Sequence, residues 1–128
     1  MKTSTLIAVA AVLLMIGVGA GAFGSHGLRA HVAPDMLAVW QTAVLYQMVH
    51  ALGLLAVAAI RPRLHAGLAS TSALLLLAGV GLFSGSLYLL VLTGTRGIGA
   101  ITPIGGVCFM IGWLLLALSA LKGQPQND

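Results

Sequence analysis

Charged residues are scarce in this chain of 128 residues, and acidic ones are almost absent. Asp, Glu, Lys and Arg together make up 6% of the sequence, whereas a soluble domain carries about 25%. So few charges could not cover the surface of a water-soluble globule, and a soluble domain is therefore excluded. Disorder is excluded as well, because disordered chains combine low hydrophobicity with high net charge.

The chain also lacks the residues that disulfide, metal and acid–base chemistry require. Cys108 is the only cysteine, so no disulfide can form within the chain. Asp35 and Asp128 are the only acidic residues, which leaves no cluster of carboxylates for acid–base catalysis. His26 and His31 match no standard zinc spacing. We therefore expect no metal site and no cofactor.

Long apolar runs dominate what is present. Hydrophobic residues make up 59% of the chain, and the mean hydropathy is +1.08. About 18 consecutive apolar residues can cross the hydrocarbon core of a bilayer, and lipid offers the backbone no hydrogen bonds, so such runs must be helices. We predict an all-α integral membrane four-helix bundle, in which residues 1–128 form a single transmembrane domain. The predicted spans are residues 5–23, 37–60, 66–92 and 104–121.

The basic residues indicate how the spans are oriented. Four spans place both termini and the middle connection on one side of the membrane, and that side carries four of the six basic residues. These are Lys2, Arg61, Arg63 and Lys122. The other side carries Arg29 and Arg96. The positive-inside rule then predicts a multi-pass membrane protein with cytoplasmic N- and C-termini. Scattered basic residues make no footprint for nucleic acid, so no such partner is expected.

The first apolar run allows one other interpretation. Lys2, the apolar residues that follow it and the small residues 20–22 are also typical of a cleavable signal peptide. We favour a first membrane span.

Two pairs of glycines have the spacing of close helix contacts. Gly17 and Gly21 lie four residues apart in the first run, as do Gly81 and Gly85 in the third. Helices in lipid associate mainly through close packing, which small residues permit. Both pairs lie in the half of the bundle farther from the termini, and we expect the first and third helices to meet there. The alternative is that these glycines leave room for a ligand.

Polar residues on two of the predicted helices point to a shared polar core in that same half. A helical repeat places Tyr46 and His50 on one face of the second helix, and Ser84 and Tyr88 on one face of the third. Ser86 lies close by in sequence. Polar and ionisable groups within a membrane are candidates for function. The alternative is that they only hydrogen-bond neighbouring helices.

Two glycine-rich connections fall on the side opposite the termini. His26 and Arg29 belong to the first, and Arg96 to the second. The two arginines could form an anion site near helix N-termini, with a lipid phosphate as its ligand. The alternative is that both side chains extend to the membrane interface and pair with Asp35.

Several short motifs occur together and in order along most of the chain. They are residues 21–28 (GAFGSHGL), Tyr46 with His50, residues 83–88 (FSGSLY), residues 102–106 (TPIGG) and residues 112–113 (GW). In these motifs the chain resembles the YgdD-like family of small four-span membrane proteins, which is found in bacteria and has animal relatives. Ser25 departs from the alanine usual in that family.

The resemblance implies a four-span inner-membrane protein and implies no reaction. It directs attention to six residues, which are His26, Tyr46, His50, Ser84, Ser86 and Tyr88.

Three classes of function remain open from the sequence. We favour a non-catalytic protein that binds a membrane lipid or a small amphiphile, or an accessory subunit that binds another membrane protein or a second copy of itself. One alternative is a small transporter or channel that acts as an oligomer, with His50 and the tyrosines along its path. A less favoured alternative is a membrane-embedded enzyme in which His50 activates Ser84 or Ser86.

Overall fold

The computed structural model describes residues 1–123, so Asp128 lies outside the described part of the chain. It contains five α-helices. These are α1 (Thr3–His26), α2 (Pro34–Ile60), α3 (Ala66–Gly79), α4 (Gly85–Thr93) and α5 (Thr102–Leu121). A π turn, Val80–Ser84, joins α3 to α4 without a break. Together, α3, the π turn and α4 form the third span, and α1, α2 and α5 are the first, second and fourth.

All four spans are long and apolar enough to cross a membrane. No strand occurs within residues 1–123. The predicted all-α fold is confirmed, and the helix ends lie within a turn of the predicted ones. The third span departs from the prediction of one regular helix, because it contains the π turn.

The ends of the spans follow from local sequence. Pro34 opens α2 at a position where a backbone N–H would have no intrahelical acceptor, so its missing N–H costs no hydrogen bond, and the Asp35 carboxylate follows in the first turn. Pro103 lies in the first turn of α5 in the same way. Gly94 ends α4 with φ of +70°, a left-handed conformation that glycine adopts without steric cost.

Both described termini of the bundle meet the middle connection at one end, which we call the terminal end. Arg61 Nη1 donates to the carbonyl oxygen of Met1 at 2.6 Å. The backbone N–H of His65 donates to the carbonyl oxygen of Ser119 at 3.1 Å. The other two connections lie at the opposite end, which we call the loop end. There Leu28 packs in one cluster with Trp40 and Val91.

The spans pack in a different order from the one expected. The first span lies along the second, and the third lies between the second and the fourth. A methyl group added to Gly17 would meet the side chain of Met48, and one added to Gly21 would lie 3.5 Å from Val44 Cγ1. The close contact expected between the first and third helices at their glycines is therefore wrong.

Gly81 and Gly85 have open space beside them. A methyl group added to either residue would meet no atom of the described chain within 4 Å. Their four-residue spacing identifies a face that a neighbour could approach closely, but the spacing does not specify the neighbour. Their predicted role in helix packing within the bundle is accordingly wrong, whereas Gly17 and Gly21 do lie at a helix interface.

Candidate functional site

Gln47 lies at the middle of the second span and joins three of the four spans. Its amide Nε2 donates to the carbonyl oxygen of Leu13 on the first span at 2.7 Å. Its Oε1 accepts from the hydroxyl of Tyr88 on the third span, also at 2.7 Å. The side chain is 3% exposed. An amide in hydrocarbon must be hydrogen-bonded, and here both of its ends are used inside the protein.

Trp40 makes a second bridge of the same kind, nearer the loop end. Its indole N–H donates to the carbonyl oxygen of Ala20 at 2.8 Å. Its ring packs at 4.6 Å, centroid to centroid, from that of Tyr88. Trp40 is buried, so this side chain is a packing residue as well as a donor.

Glycines on the first span make room for both bridges. Gly17 and Gly24 each lie four residues after an accepting carbonyl, that of Leu13 and that of Ala20 respectively. A helical side chain covers the turn that precedes it, so glycine at these positions leaves each carbonyl accessible from the side. A methyl group on Gly24 would lie 2.6 Å from Trp40 Cδ1. The glycine stripe of the first span is therefore fitted to α2.

The serines of the predicted polar core are also used in internal bonds. Ser84 is buried and donates to the carbonyl oxygen of Ala43 at 2.7 Å. The Ser86 hydroxyl donates to the carbonyl oxygen of Phe83 at 2.9 Å and lies 2.6 Å from Thr102 Oγ1. Both hydroxyls thus bind helix neighbours, and neither is paired with His50 among the described residues.

Tyr46 and His50 belong to a separate group, which we call the aromatic face. It comprises Tyr46, His50, Phe83, Phe109 and Trp113. The rings of His50 and Phe109 stack at 3.5 Å between centroids, and those of Tyr46 and Phe83 stack at 4.3 Å.

Two glycines and the π turn allow the aromatic face to form. A methyl group on Gly53 would lie 2.7 Å from Trp113 Cη2, so the indole rests against the backbone of α2. A methyl group on Gly105 would lie 2.8 Å from Phe83 Cα, so α5 and the π turn touch backbone to backbone. The wider π turn carries Phe83, and such turns are frequent at functional sites.

One polar side-chain atom of the aromatic face is used inside the protein, and three have no partner among the described residues. His50 Nδ1 lies 2.6 Å from the carbonyl oxygen of Tyr46. A carbonyl only accepts, so this contact assigns the proton of the neutral ring to Nδ1 and leaves Nε2 as an acceptor. Within residues 1–123, neither His50 Nε2, nor the Tyr46 hydroxyl, nor the Trp113 indole N–H has a hydrogen-bond partner. Tyr46 and Trp113 are 39% and 38% exposed.

A groove of about 300 Å³ opens onto this face. It is lined by Leu45, Tyr46, Val49 and His50. His50 itself is 6% exposed, and its unpartnered nitrogen is not fully enclosed. The groove therefore joins an apolar wall to His50 and Tyr46, and the Trp113 ring lies 5.9 Å from that of His50, centroid to centroid.

A second groove, of about 430 Å³, lies on the third span beside the open glycines. Its lining includes Gly81, Gly85, Ser86, Tyr88 and Ile101. The hydroxyls of Ser86 and Tyr88 are already bonded to Thr102 and Gln47, so this groove offers an apolar surface and little else.

The remaining predicted residues lie apart from these grooves. His26, Arg29 and Arg96 are exposed at the loop end. An anion site between the two arginines stays a prediction. Of the predicted polar core, Ser84, Ser86 and Tyr88 are brought into internal bonds, and Tyr46 and His50 are brought together on the aromatic face.

Sequence reasoning missed Gln47, Trp40 and Phe109. Gln47 carried a usable signal, because an amide within an uncharged run of 24 residues (37–60) has to find partners in the bundle. Trp40 lies near one end of the predicted second span, where an exposed indole is favourable, and its burial depends on Gly24 of another helix. Phe109 gave no signal, since a phenylalanine in an apolar span is ordinary.

Comparison with known proteins shows that the chain is similar to membrane proteins of one family. A family model described as "Protein of unknown function (DUF423)" matches residues 20–106. The chain is 45% identical over 117 residues to the UPF0382 membrane protein YwdK of Bacillus subtilis, covering 91% of this chain and 95% of that one. It is 48% identical over 116 residues to the UPF0382 membrane protein SSP2132 of Staphylococcus saprophyticus, covering 91% and 96%.

No solved structure matches the chain. The expected family of small membrane proteins without a known function is confirmed at that level, and the name YgdD-like stays a prediction. The family match, from Ala20 to Gly106, includes the residues that line the grooves of the second and third spans. The chain therefore belongs to the DUF423 family, and its relatives are membrane proteins.

Proposed function

We propose that this protein binds a small, uncharged, lipid-soluble molecule that carries a hydroxyl group, in the groove at His50, without converting it. The observation that carries the proposal is the position of His50 Nε2, an unpartnered acceptor beside an apolar groove in the middle of a span. A hydrogen-bond donor from the ligand would satisfy this nitrogen. The Trp113 N–H and the Tyr46 hydroxyl are donors for the oxygen of the same group.

The depth of His50 restricts the ligand. Helix α2 runs from Pro34 to Ile60, so its midpoint is Gln47, and His50 lies three residues, or about 4.5 Å, beyond that midpoint at about 1.5 Å per residue. In a hydrocarbon core about 30 Å thick that is centred on this helix, His50 thus lies close to the middle. A charged headgroup would be costly there, and for this reason we propose an uncharged molecule.

Binding without turnover is favoured by the use of the other polar groups. The hydroxyls of Ser84 and Tyr88 are engaged with Ala43 and Gln47. A hydroxyl nucleophile would need His50 as its activating base within hydrogen-bond reach. The hydroxyls of the third span instead hold helices together.

A pair of probes tests the proposal directly. An alkyl phenol bearing a photoactivatable diazirine and its methyl ether differ only in the hydrogen-bond donor. We expect the phenol to label the peptides around Tyr46 and Trp113 about fivefold more strongly than the ether, as one hydrogen bond of about 1 kcal/mol implies.

Two variants decide whether His50 is responsible. His50→Phe keeps a ring against Phe109 and removes the acceptor, so phenol labelling should fall to the level of the ether. Tyr88→Phe, the matched control, removes a hydroxyl used inside the bundle and should leave the labelling ratio unchanged. Equal labelling by phenol and ether in the parent protein would refute the proposal. Mass spectrometry of lipids co-purified with the parent and with His50→Phe would then identify the natural ligand.

A second candidate function is an accessory subunit of a membrane complex. The observation that favours it is the open face at Gly81 and Gly85, where a helix of another chain could approach closely. Co-purification from native membranes tests this function, because a subunit returns a stoichiometric membrane-protein partner. Gly81→Leu should then release the partner without lowering the stability of the isolated chain.

We also propose that the terminal end faces the cytoplasm of a bacterial cell and that the membrane is the plasma membrane. The support for this orientation is the excess of basic residues at that end.

A further inference from the structure

A polar cavity of about 490 Å³ lies at the terminal end, away from the aromatic face. Residues from three elements line it, and they include Arg61, His65, Ala66 and Lys122. Arg61 ends the second span, His65 and Ala66 begin the third, and Lys122 follows the fourth. Two cationic side chains from different spans thus converge on one cavity.

The position of Arg61 is set by two bonds. Its Nη1 donates to the carbonyl oxygen of Met1 at 2.6 Å, and its Nη2 donates to the hydroxyl of Ser70 at 2.9 Å. These contacts tie the start of the first span to the third. A guanidinium has more N–H groups than two such bonds use, so Arg61 can still donate into the cavity.

His65 and the start of α3 add neutral donors. The backbone N–H of Leu68 donates to His65 Nδ1 at 3.4 Å, so in the neutral ring the proton lies on Nε2, which is then a donor. Among the described residues, the backbone N–H groups of Ala66 and Gly67 have no acceptor. They lie at the N-terminus of a 14-residue helix, whose dipole favours an anion.

Acidic side chains do not offset this charge within residues 1–123. The single acidic residue of that range, Asp35, begins α2 at the loop end. Lys2 and Arg63 also lie at the terminal end, but neither of them lines the cavity. A cavity with these properties is suited to an anion that is rich in acceptor oxygens.

We propose that this cavity binds a phosphate group, carried either by the headgroup of an anionic phospholipid or by free phosphate. Arg61 and Lys122 supply the charge, and His65 Nε2 with the N-terminus of α3 supplies further donors. The anion site expected from the sequence was at the opposite end, between Arg29 and Arg96. The terminal end differs from that arrangement because Arg61 and Lys122, which come from different spans, line one cavity.

The test uses the full-length protein in an uncharged detergent, with native mass spectrometry to count bound lipids. Phosphatidylglycerol and phosphatidylcholine are titrated separately. We expect phosphatidylglycerol to bind more tightly, and Lys122→Gln to weaken its Kd about fivefold, since the direct hydrogen bond lost to the phosphate contributes about 1 kcal/mol. Lys122→Arg should restore the affinity.

Arg63→Gln is the matched control. It removes the same charge from the same end, but Arg63 does not line the cavity, so its phosphatidylglycerol affinity should equal that of the parent. Equal weakening by Lys122→Gln and Arg63→Gln would overturn the proposal, because it would show attraction to a charged surface in general. Equal affinity of the parent for the two lipids would overturn it as well.

Inorganic phosphate distinguishes the two sources. Displacement of phosphatidylglycerol by phosphate, beyond that by sodium chloride of equal ionic strength, supports the cavity as a site for the free ion. Failure to displace it, with the effect of Lys122→Gln intact, supports the lipid headgroup as the ligand.

Discussion

The Tyr88 hydroxyl donates to Gln47 Oε1 at 2.7 Å, and this one bond connects the third span to an amide that also holds the first. Removing either partner leaves the other unpaired in a place without water. The pair therefore gives a direct measure of how much the polar core contributes to stability.

Tyr88→Phe should lower the free energy of unfolding by about 1 kcal/mol, because Gln47 Oε1 loses its donor. Gln47→Leu removes two bonds and should cost more. The double variant should be less destabilised than the sum of the two, since the bond can be lost only once. Reversible unfolding in mixed micelles would measure all three. Additive effects would show that the two side chains are not coupled.

Gly24→Ala should destabilise the bundle by about 1–3 kcal/mol, as overpacking of a core does. The new methyl group would lie 2.6 Å from the buried ring of Trp40, which is held by its bond to Ala20. Gly85→Ala is the control and should be neutral or slightly stabilising, because open space surrounds it and alanine favours a helix. Thermal unfolding in detergent compares the two variants. An unchanged midpoint for Gly24→Ala would contradict the packing of α1 on α2.

Adjacent glycines of the fourth span should differ in their response to one methyl group. In Gly105→Ala the methyl group meets the backbone of Phe83, with the Cα at 2.8 Å, and backbone cannot move aside without separating two spans. In Gly106→Ala it lies 3.9 Å from Phe83 Cδ2, an ordinary contact. We expect a loss of about 1–3 kcal/mol for the first variant and little change for the second. Similar stabilities in an unfolding titration would argue against the close approach.

The proposed orientation predicts where reporters will be active. A fluorescent protein fused after Asp128 should fold and fluoresce, because it stays in the cytoplasm, whereas alkaline phosphatase at that site should be inactive. Alkaline phosphatase inserted after Arg96 should be active instead. Placing Arg residues in the loop-end connections should reduce this asymmetry, since basic residues set the orientation. The opposite pattern of reporter activity would reverse the assignment.

Hydropathy was sufficient to predict the four spans because the membrane imposes both a length and a backbone geometry. The choice of helix neighbours was not predictable in the same way. Gly17 and Gly81 have equally good spacing in the sequence, yet one faces Met48 and the other faces open space. A stripe of small residues allows a helix to approach closely but does not specify which helix it will be. The partner depends on bulky residues elsewhere in the chain.

The candidate site was predicted only in part, for a related reason. His50 and Tyr46 are noticeable in an apolar run, and both lie on the aromatic face. A polar side chain is bonded inside the bundle only where a backbone carbonyl of the neighbouring helix is accessible to it. The carbonyl of Ala43, which accepts from Ser84, is one of these. Uncovered carbonyls arise from the contact geometry of two helices, so they cannot be found by inspecting either helix alone.

The two halves of the third span, before and after the π turn, hydrogen-bond to different neighbours. The first half faces the fourth span, where Ser72 donates to the carbonyl oxygen of Gly112, and the second half presents Ser84 and Tyr88 to the second span. One residue corresponds to a rotation of about 100° in an α-helix. Insertion or deletion of one residue between Val80 and Ser84 would consequently rotate the second half of the third span, so that Ser84 and Tyr88 no longer face the second span. This disturbance is greater than that caused by most substitutions.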